Sequence, residues 1–108
     1  VRSSAGAVEH MLIARETNLV NVLKDLKTRG MWVIGLEAAA VDCYYRTAIP
    51  LPAAVVVGGE GRGIRRLVKE QCDLLLKIPM FGRINSLNAS VAAALILYEI
   101  VRQQEMQP

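Results

Sequence analysis

At 108 residues the chain is the size of one domain, or of part of one. It is 53% apolar and 21% charged, which excludes a disordered tail, and no apolar run approaches the roughly 20 residues that span a bilayer. Its net charge of +3 is compatible with nucleic acid but does not argue for it alone. No basic-then-apolar leader is visible, and Val1 opens on residues that already read as mid-domain, so the expectation is a domain cut at its N-terminal side. Cys43 and Cys72 stand far apart without Cys-x-x-Cys spacing, and His10 is the single histidine. They read as reduced thiols of a cytoplasmic protein with no metal site.

Taken in chain order, residues 11–14 are a short apolar run read as a strand. Asn18 caps a helix running to about Thr28, with Leu19, Val22, Leu23 and Leu26 as its apolar stripe and Gly30 as its stop. Residues 31–36 (Met-Trp-Val-Ile-Gly-Leu) are too short and β-branched for a helix, and read as a buried strand. Residues 42–52, with two prolines, read as irregular. A second buried strand at 53–57 (Ala-Ala-Val-Val-Val) runs into Gly58-Gly59-Glu60-Gly61-Arg62-Gly63, and a short helix is expected at 64–71. Residues 73–78 form a third strand, 79–87 a loop, and 88–103 a long helix. This alternation predicts an α/β fold with a mostly parallel sheet flanked by helices. No repeat or linker divides the chain, so residues 1–108 form a single domain.

The last helix carries Ala89, Val91, Ala92, Ala93, Ala94, Leu95, Ile96, Leu97, Ile100 and Val101, leaving almost no polar face over its first three turns. A helix apolar all round is covered on both sides. One side lies on the sheet; leaving the other in water would forfeit several kcal/mol at about 25 cal/mol per Å². A homodimer through this C-terminal helix is therefore expected.

Three constellations carry candidate chemistry. The first is the glycine turn 58–63 between strand and helix, where open α/β sheets collect ligands and glycine lets backbone approach them. It is neither a Walker loop, since Gly63-Ile64-Arg65 lacks Lys-Ser/Thr, nor a dinucleotide fingerprint, since the spacing is Gly59-x-Gly61-x-Gly63. Alone it also fits a tight connection. Glu60 is an acid among four glycines; it is either a solvated turn residue or one that orients a hydroxyl, a ribose or a cation. The second is the segment Ile78-Pro-Met-Phe-Gly-Arg-Ile-Asn-Ser-Leu-Asn-Ala-Ser90. Pro79 ends the strand, Ser86 or Asn88 is the expected N-cap, and Ile78, Met80 and Leu87 suit an adenine slot. The third is basic: Arg62, Arg65, Arg66 and Lys69, with Arg83 on the neighbouring loop. They form either a solvated helix face or contacts to nucleic-acid phosphates.

The blocks Val55-Val-Val-Gly-Gly-Glu-Gly-Arg-Gly63, Cys72-Asp73, Ile78-Pro-Met-Phe-Gly82, Ser86-Leu-Asn-Ala-Ser-Val-Ala92 and Tyr98-Glu99 together closely resemble the SpoU/TrmH class of the SPOUT superfamily. They match that family's motifs 2 and 3, and Ser3-Ser4-Ala5-Gly6-Ala7 extends the resemblance over almost the whole chain. The resemblance implies an RNA ribose 2′-O-methyltransferase domain with a C-terminal deep trefoil knot, an S-adenosylmethionine cofactor and dimeric pairing. It implies cofactor contacts from Gly58, Gly59, Gly61, Ile78, Pro79, Met80 and Leu87, and catalytic roles for Glu60, Ser86 and Asn88. Arg62, Arg65, Arg66 and Arg83 would hold ribosomal or transfer RNA. The family's motif 1, with its Asn and Arg, has no counterpart here. Three rival readings stand beside this one: a non-catalytic RNA-binding module of the same fold, an ATP-binding α/β protein, and a base methyltransferase.

Overall fold

A computed structural model of the chain describes residues 8–14, 19–58, 64–79 and 86–106, with backbone alone for 8–14 and 86–89. Five strands, β1 (Val8–Ala14), β2 (Trp32–Leu36), β3 (Asp42–Cys43), β4 (Ala53–Gly58) and β5 (Leu74–Lys77), form one sheet in the order β1-β4-β2-β5-β3. Every pairing is parallel, as the strand–helix alternation predicts.

Helix α1 (Leu19–Thr28) and the one-turn α2 (Arg66–Lys69) cover one face of the sheet, and α3 (Ser86–Glu105) covers the other. The period-2 alternation of β4 supplies both cores. Ala53, Val55 and Val57 pack with Ile96 and Ile100 of α3, whereas Ala54 and Val56 pack with Leu19, Leu23 and Leu26 of α1. A strand buried on both faces has no polar side to offer, which is why it reads as a continuous apolar run.

The end of α1 is built as expected. Gly30 adopts φ 88, Gly30 N donates to Lys27 O and Met31 N to Leu26 O, and Met31 is buried with Leu26. Such a left-handed residue just past the helix satisfies carbonyls that otherwise face water unpaired.

Several boundaries depart from expectation. The first strand begins at Val8, three residues before the apolar run. Trp32 opens β2 with 46% exposure because it sits at the amino edge, where its N–H donates to Pro52 O. Residues 42–52, expected to be irregular, contain β3 and a 3-10 turn, Tyr44–Arg46. Two residues pairing on an edge leave no periodic signal. The helix expected over 64–71 is confined to Arg66–Lys69. Helix α3 starts at Ser86, so Ser86 and Asn88 lie within its first turn instead of capping it.

A single chain covers one face of α3, as the sheet side of the sequence reading expects. Ala92, Ile96, Glu99 and Ile100 are buried, while Val91 (47%), Leu95 (38%) and Tyr98 (76%) are exposed along the opposite stripe. The buried Glu99 accepts from Arg102 Nε at 2.9 Å and Nη2 at 2.7 Å, and from Gln103 Nε2 at 2.8 Å. Gln103 also donates to Thr47 O at 2.8 Å and accepts from Ile49 N at 2.9 Å. It thereby latches α3 to the segment that leads into β4.

The Arg102 guanidinium holds the Glu99 carboxyl below its usual range, against desolvation, which pulls the other way. A depressed carboxyl contributes stability above its unfolded value of about 4.3, and that contribution is lost as pH falls through the folded value. Gln103→Ala should cost about 1–3 kcal/mol by orphaning the Ile49 N–H. Urea titrations check this, and in Glu99→Gln the acid-side loss of stability should shrink.

Candidate active site

In a parallel sheet all strands end on the same side, and that edge collects ligands. Here β4 ends with Gly58, β5 runs out to Ile78 and Pro79, and α3 opens with Ser86, Leu87 and Asn88. Val57, Ile78 and Ala92 share one buried cluster, so the three segments rise from a common apolar floor. The strands carrying them are next-but-one neighbours, with β2 between β4 and β5. The carboxyl end of β2, at Leu36, therefore lies between those of β4 and β5.

Gly58 and Ile78 are buried, Pro79 is exposed, and Arg65 and Arg66 are exposed on the helix face. Arg66 pairs with Glu70 at 3.2 Å, which partly neutralises it, and Lys69 is engaged by the largely buried Glu37 at 2.9 Å. Lys69 thus ties α2 to the residue that follows β2 and is structural. Gly59, Glu60, Gly61, Arg62, Met80 and Arg83 lie outside the described residues, as do the side chains of Ser86, Leu87 and Asn88.

The glycine turn is pinned at both ends. Gly58 closes β4, and Ile64, 4% exposed, re-enters the core on the α1 side. Ile64 reaches that depth because Gly35 carries no side chain. A Cβ there would meet Cys72 Sγ at 2.7 Å, Leu75 Cδ2 at 2.9 Å and Ile64 Cδ1 at 3.0 Å. Asp73 closes the opposite end of the sheet. Its Oδ2 accepts from Val33 N at 2.7 Å, its N–H donates to Val33 O at 2.7 Å, and Lys27 lies 3.7 Å from Oδ1.

Neither Gly35 nor Asp73 stood out as a positioning residue in the sequence. A glycine inside a β-branched run was the available signal for the first. The Cys72 thiol is raised to about 11, first by burial and then by the Asp73 carboxylate, so it is protonated at neutral pH and is no nucleophile.

A parallel sheet covered by helices on both faces, with glycine closing a buried strand at its carboxyl edge, defines an open α/β protein. The model of the SpoU rRNA Methylase family matches residues 1–98, and the chain belongs to that family. It is 48% identical over 103 residues to YacO of Bacillus subtilis (strain 168), a protein assigned to the TrmH family of tRNA/rRNA methyltransferases. That match covers 95% of this chain and 41% of YacO, so the chain spans about two fifths of the relative's length. A solved RNA 2′-O ribose methyltransferase superposes with a TM-score of 0.75 at 28% identity, covering 96% of this chain and 49% of that one. The SpoU methyltransferase AviRb from Streptomyces viridochromogenes, solved in complex with AdoMet, gives a TM-score of 0.68 at 28% identity, over 81% of this chain and 36% of its own. Among the described residues no helix is long and apolar enough to cross a membrane.

Proposed function

We propose that this domain binds S-adenosylmethionine and serves methyl transfer to a ribose 2′-hydroxyl of ribosomal or transfer RNA. The observation that carries this reading is the common floor of Val57, Ile78 and Ala92 beneath three segments, in a chain of the SpoU family. The residues present fit the cofactor: Gly58 and Ile78 are buried against apolar neighbours, and Pro79 offers its carbonyl without an N–H. In this proposal the cofactor contacts come from Gly58, Gly59 and Gly61 on one strand end and from Ile78, Pro79, Met80 and Leu87 beyond the other.

When bound, the cofactor supplies an electrophilic methyl group. The chain's part is alignment, because a ribose hydroxyl is a poor nucleophile at neutral pH and gains most from a fixed in-line approach and help with its proton. Ser86 and Asn88, in the first turn of α3, hold the ribose. Glu60 orients the pocket from the glycine turn. Arg62, Arg65, Arg66 and Arg83 take the RNA backbone.

Two features of assembly belong to the same reading. The first is the deep C-terminal knot that the family resemblance implies; the pairing of Leu76 with Leu36 on one side and Asp42 on the other is compatible with it. Two copies pair through the exposed stripe Val91, Leu95 and Tyr98 of α3, which a second copy would remove from water.

Isothermal calorimetry with S-adenosylmethionine tests the assignment. Saturable binding is expected, with loss on Gly59→Val. An absence of binding in the full-length protein would instead favour a non-catalytic RNA-binding module.

A further inference from the structure

A second cleft, of about 400 Å³, opens beside the β3–β5 pair and is lined by Asp42, Tyr45, Arg46, Thr47, Lys77 and Pro79, among others. Its volume is within the range of small-ligand sites and suits a single nucleotide unit. Lys77 lies in register with Cys43 at the carboxyl end of β5, and Pro79 follows two residues on, so the cleft adjoins the proposed cofactor edge and shares Pro79 with it.

The cations on its walls are in no ion pair with a described residue. Lys27, Arg29, Arg66, Lys69 and Arg102 are each in an ion pair, whereas Arg46 and Lys77 are in none with a described residue. Against these two cations the cleft holds one carboxylate, Asp42. The guanidinium of Arg46 lies 5.7 Å from the centre of the Tyr45 ring, and Tyr44 braces that ring edge-on at 5.3 Å. Tyr45 is nevertheless 47% exposed. A braced, half-exposed ring with Arg46 over one face, beside two cations in no ion pair with a described residue, presents a stacking platform and a phosphate clamp together, the combination by which single-stranded nucleic acid is held.

We propose that this cleft is an RNA subsite for a nucleotide flanking the methylated one, its base stacked on Tyr45 and its phosphate held by Arg46 and Lys77. The proposal rests on the methyltransferase reading above. It adds a point of substrate selection on the outer edge of the sheet, away from the basic face of α2. Because stacking accepts any base, the subsite selects for an unpaired strand next to the target, more than for its sequence.

The test uses the full-length protein, with fluorescently labelled bulk transfer RNA and fragmented ribosomal RNA as probes, titrated by anisotropy over a salt series. Tyr45→Ala should weaken binding about tenfold, and Tyr45→Phe should restore it, since the ring and not the hydroxyl stacks. Arg46→Gln and Lys77→Gln should each reduce the salt slope by about 0.7, the share of one phosphate contact on a single strand. S-adenosylmethionine affinity, measured on the same samples, should be unchanged in all four and so reports an intact fold.

Variants that retain that affinity and bind RNA with the parent's strength and slope would overturn the subsite alone. A parent protein that takes up neither RNA nor S-adenosylmethionine would overturn the methyltransferase reading and the subsite with it.

Discussion

Asn88→Ala in the full-length protein is expected to lower the rate of methyl transfer at least tenfold, equivalent to about 1.4 kcal/mol of transition-state stabilisation. Asn88 lies in the first turn of α3, on the edge where β4 and β5 deliver Gly58 and Ile78, and Ala92 one turn later anchors that stretch to the sheet. A helix anchored in this way holds its first turn rigidly, so a side chain there suits positioning of a reacting hydroxyl. Alanine is the better helix former by up to about 0.7 kcal/mol, so the melting temperature should not fall. Single-turnover assays with saturating S-adenosylmethionine separate the chemical step from binding. Turnover equal to the parent's would remove Asn88 from the site.

Gly35→Ala should destabilise the fold by about 1–3 kcal/mol, the usual cost of forcing an extra methyl into a packed interior. Gly35 pairs with Val56 on one side and Leu75 on the other, in the middle of the sheet, so the backbone has little room to yield. The shortest contact, 2.7 Å, is to Cys72 Sγ. Removing that sulfur should relieve much of the strain, and Gly35→Ala with Cys72→Ala should cost less than the two single changes added together. Chemical denaturation of the four proteins of this cycle measures the coupling; additivity within about 0.5 kcal/mol would refute the crowding account. Because Ile64 also meets the added methyl, the downstream anchor of the glycine turn moves with it. Cofactor affinity should therefore fall in Gly35→Ala even where the protein remains folded.

The two predictions differ in how visible their residues are in the sequence. Asn88 belongs to a block whose residues already stand out in order: a proline ending a strand, a loop, then small polar residues opening an apolar helix. Gly35 and Asp73 act through partners 29 to 46 positions away, Ile64 and Lys27 among them, and local pattern does not show which residues those partners are. The same holds for Lys69. A basic run on one short helix reads as a uniform charged face, yet Glu37, brought in from beyond β2, pairs one member while Arg65 is left without an ion pair among the described residues.

By itself the sequence determined the class of fold and the family. Buried parallel strands must be apolar at every position, and the α1 stop needs a glycine at positive φ, so both leave local marks. The blocks around Gly58 and Ser86 carry their chemistry in short, ordered motifs. Only the tertiary structure decided the strand order, with β2 between β4 and β5 and β3 beyond β5 at the edge. It also decided which side of α3 is covered, and that Tyr45, Arg46 and Lys77 meet in one cleft. Parallel pairing joins residues through long crossovers, and the order of strands depends on packing both faces at once, a condition that no single segment encodes.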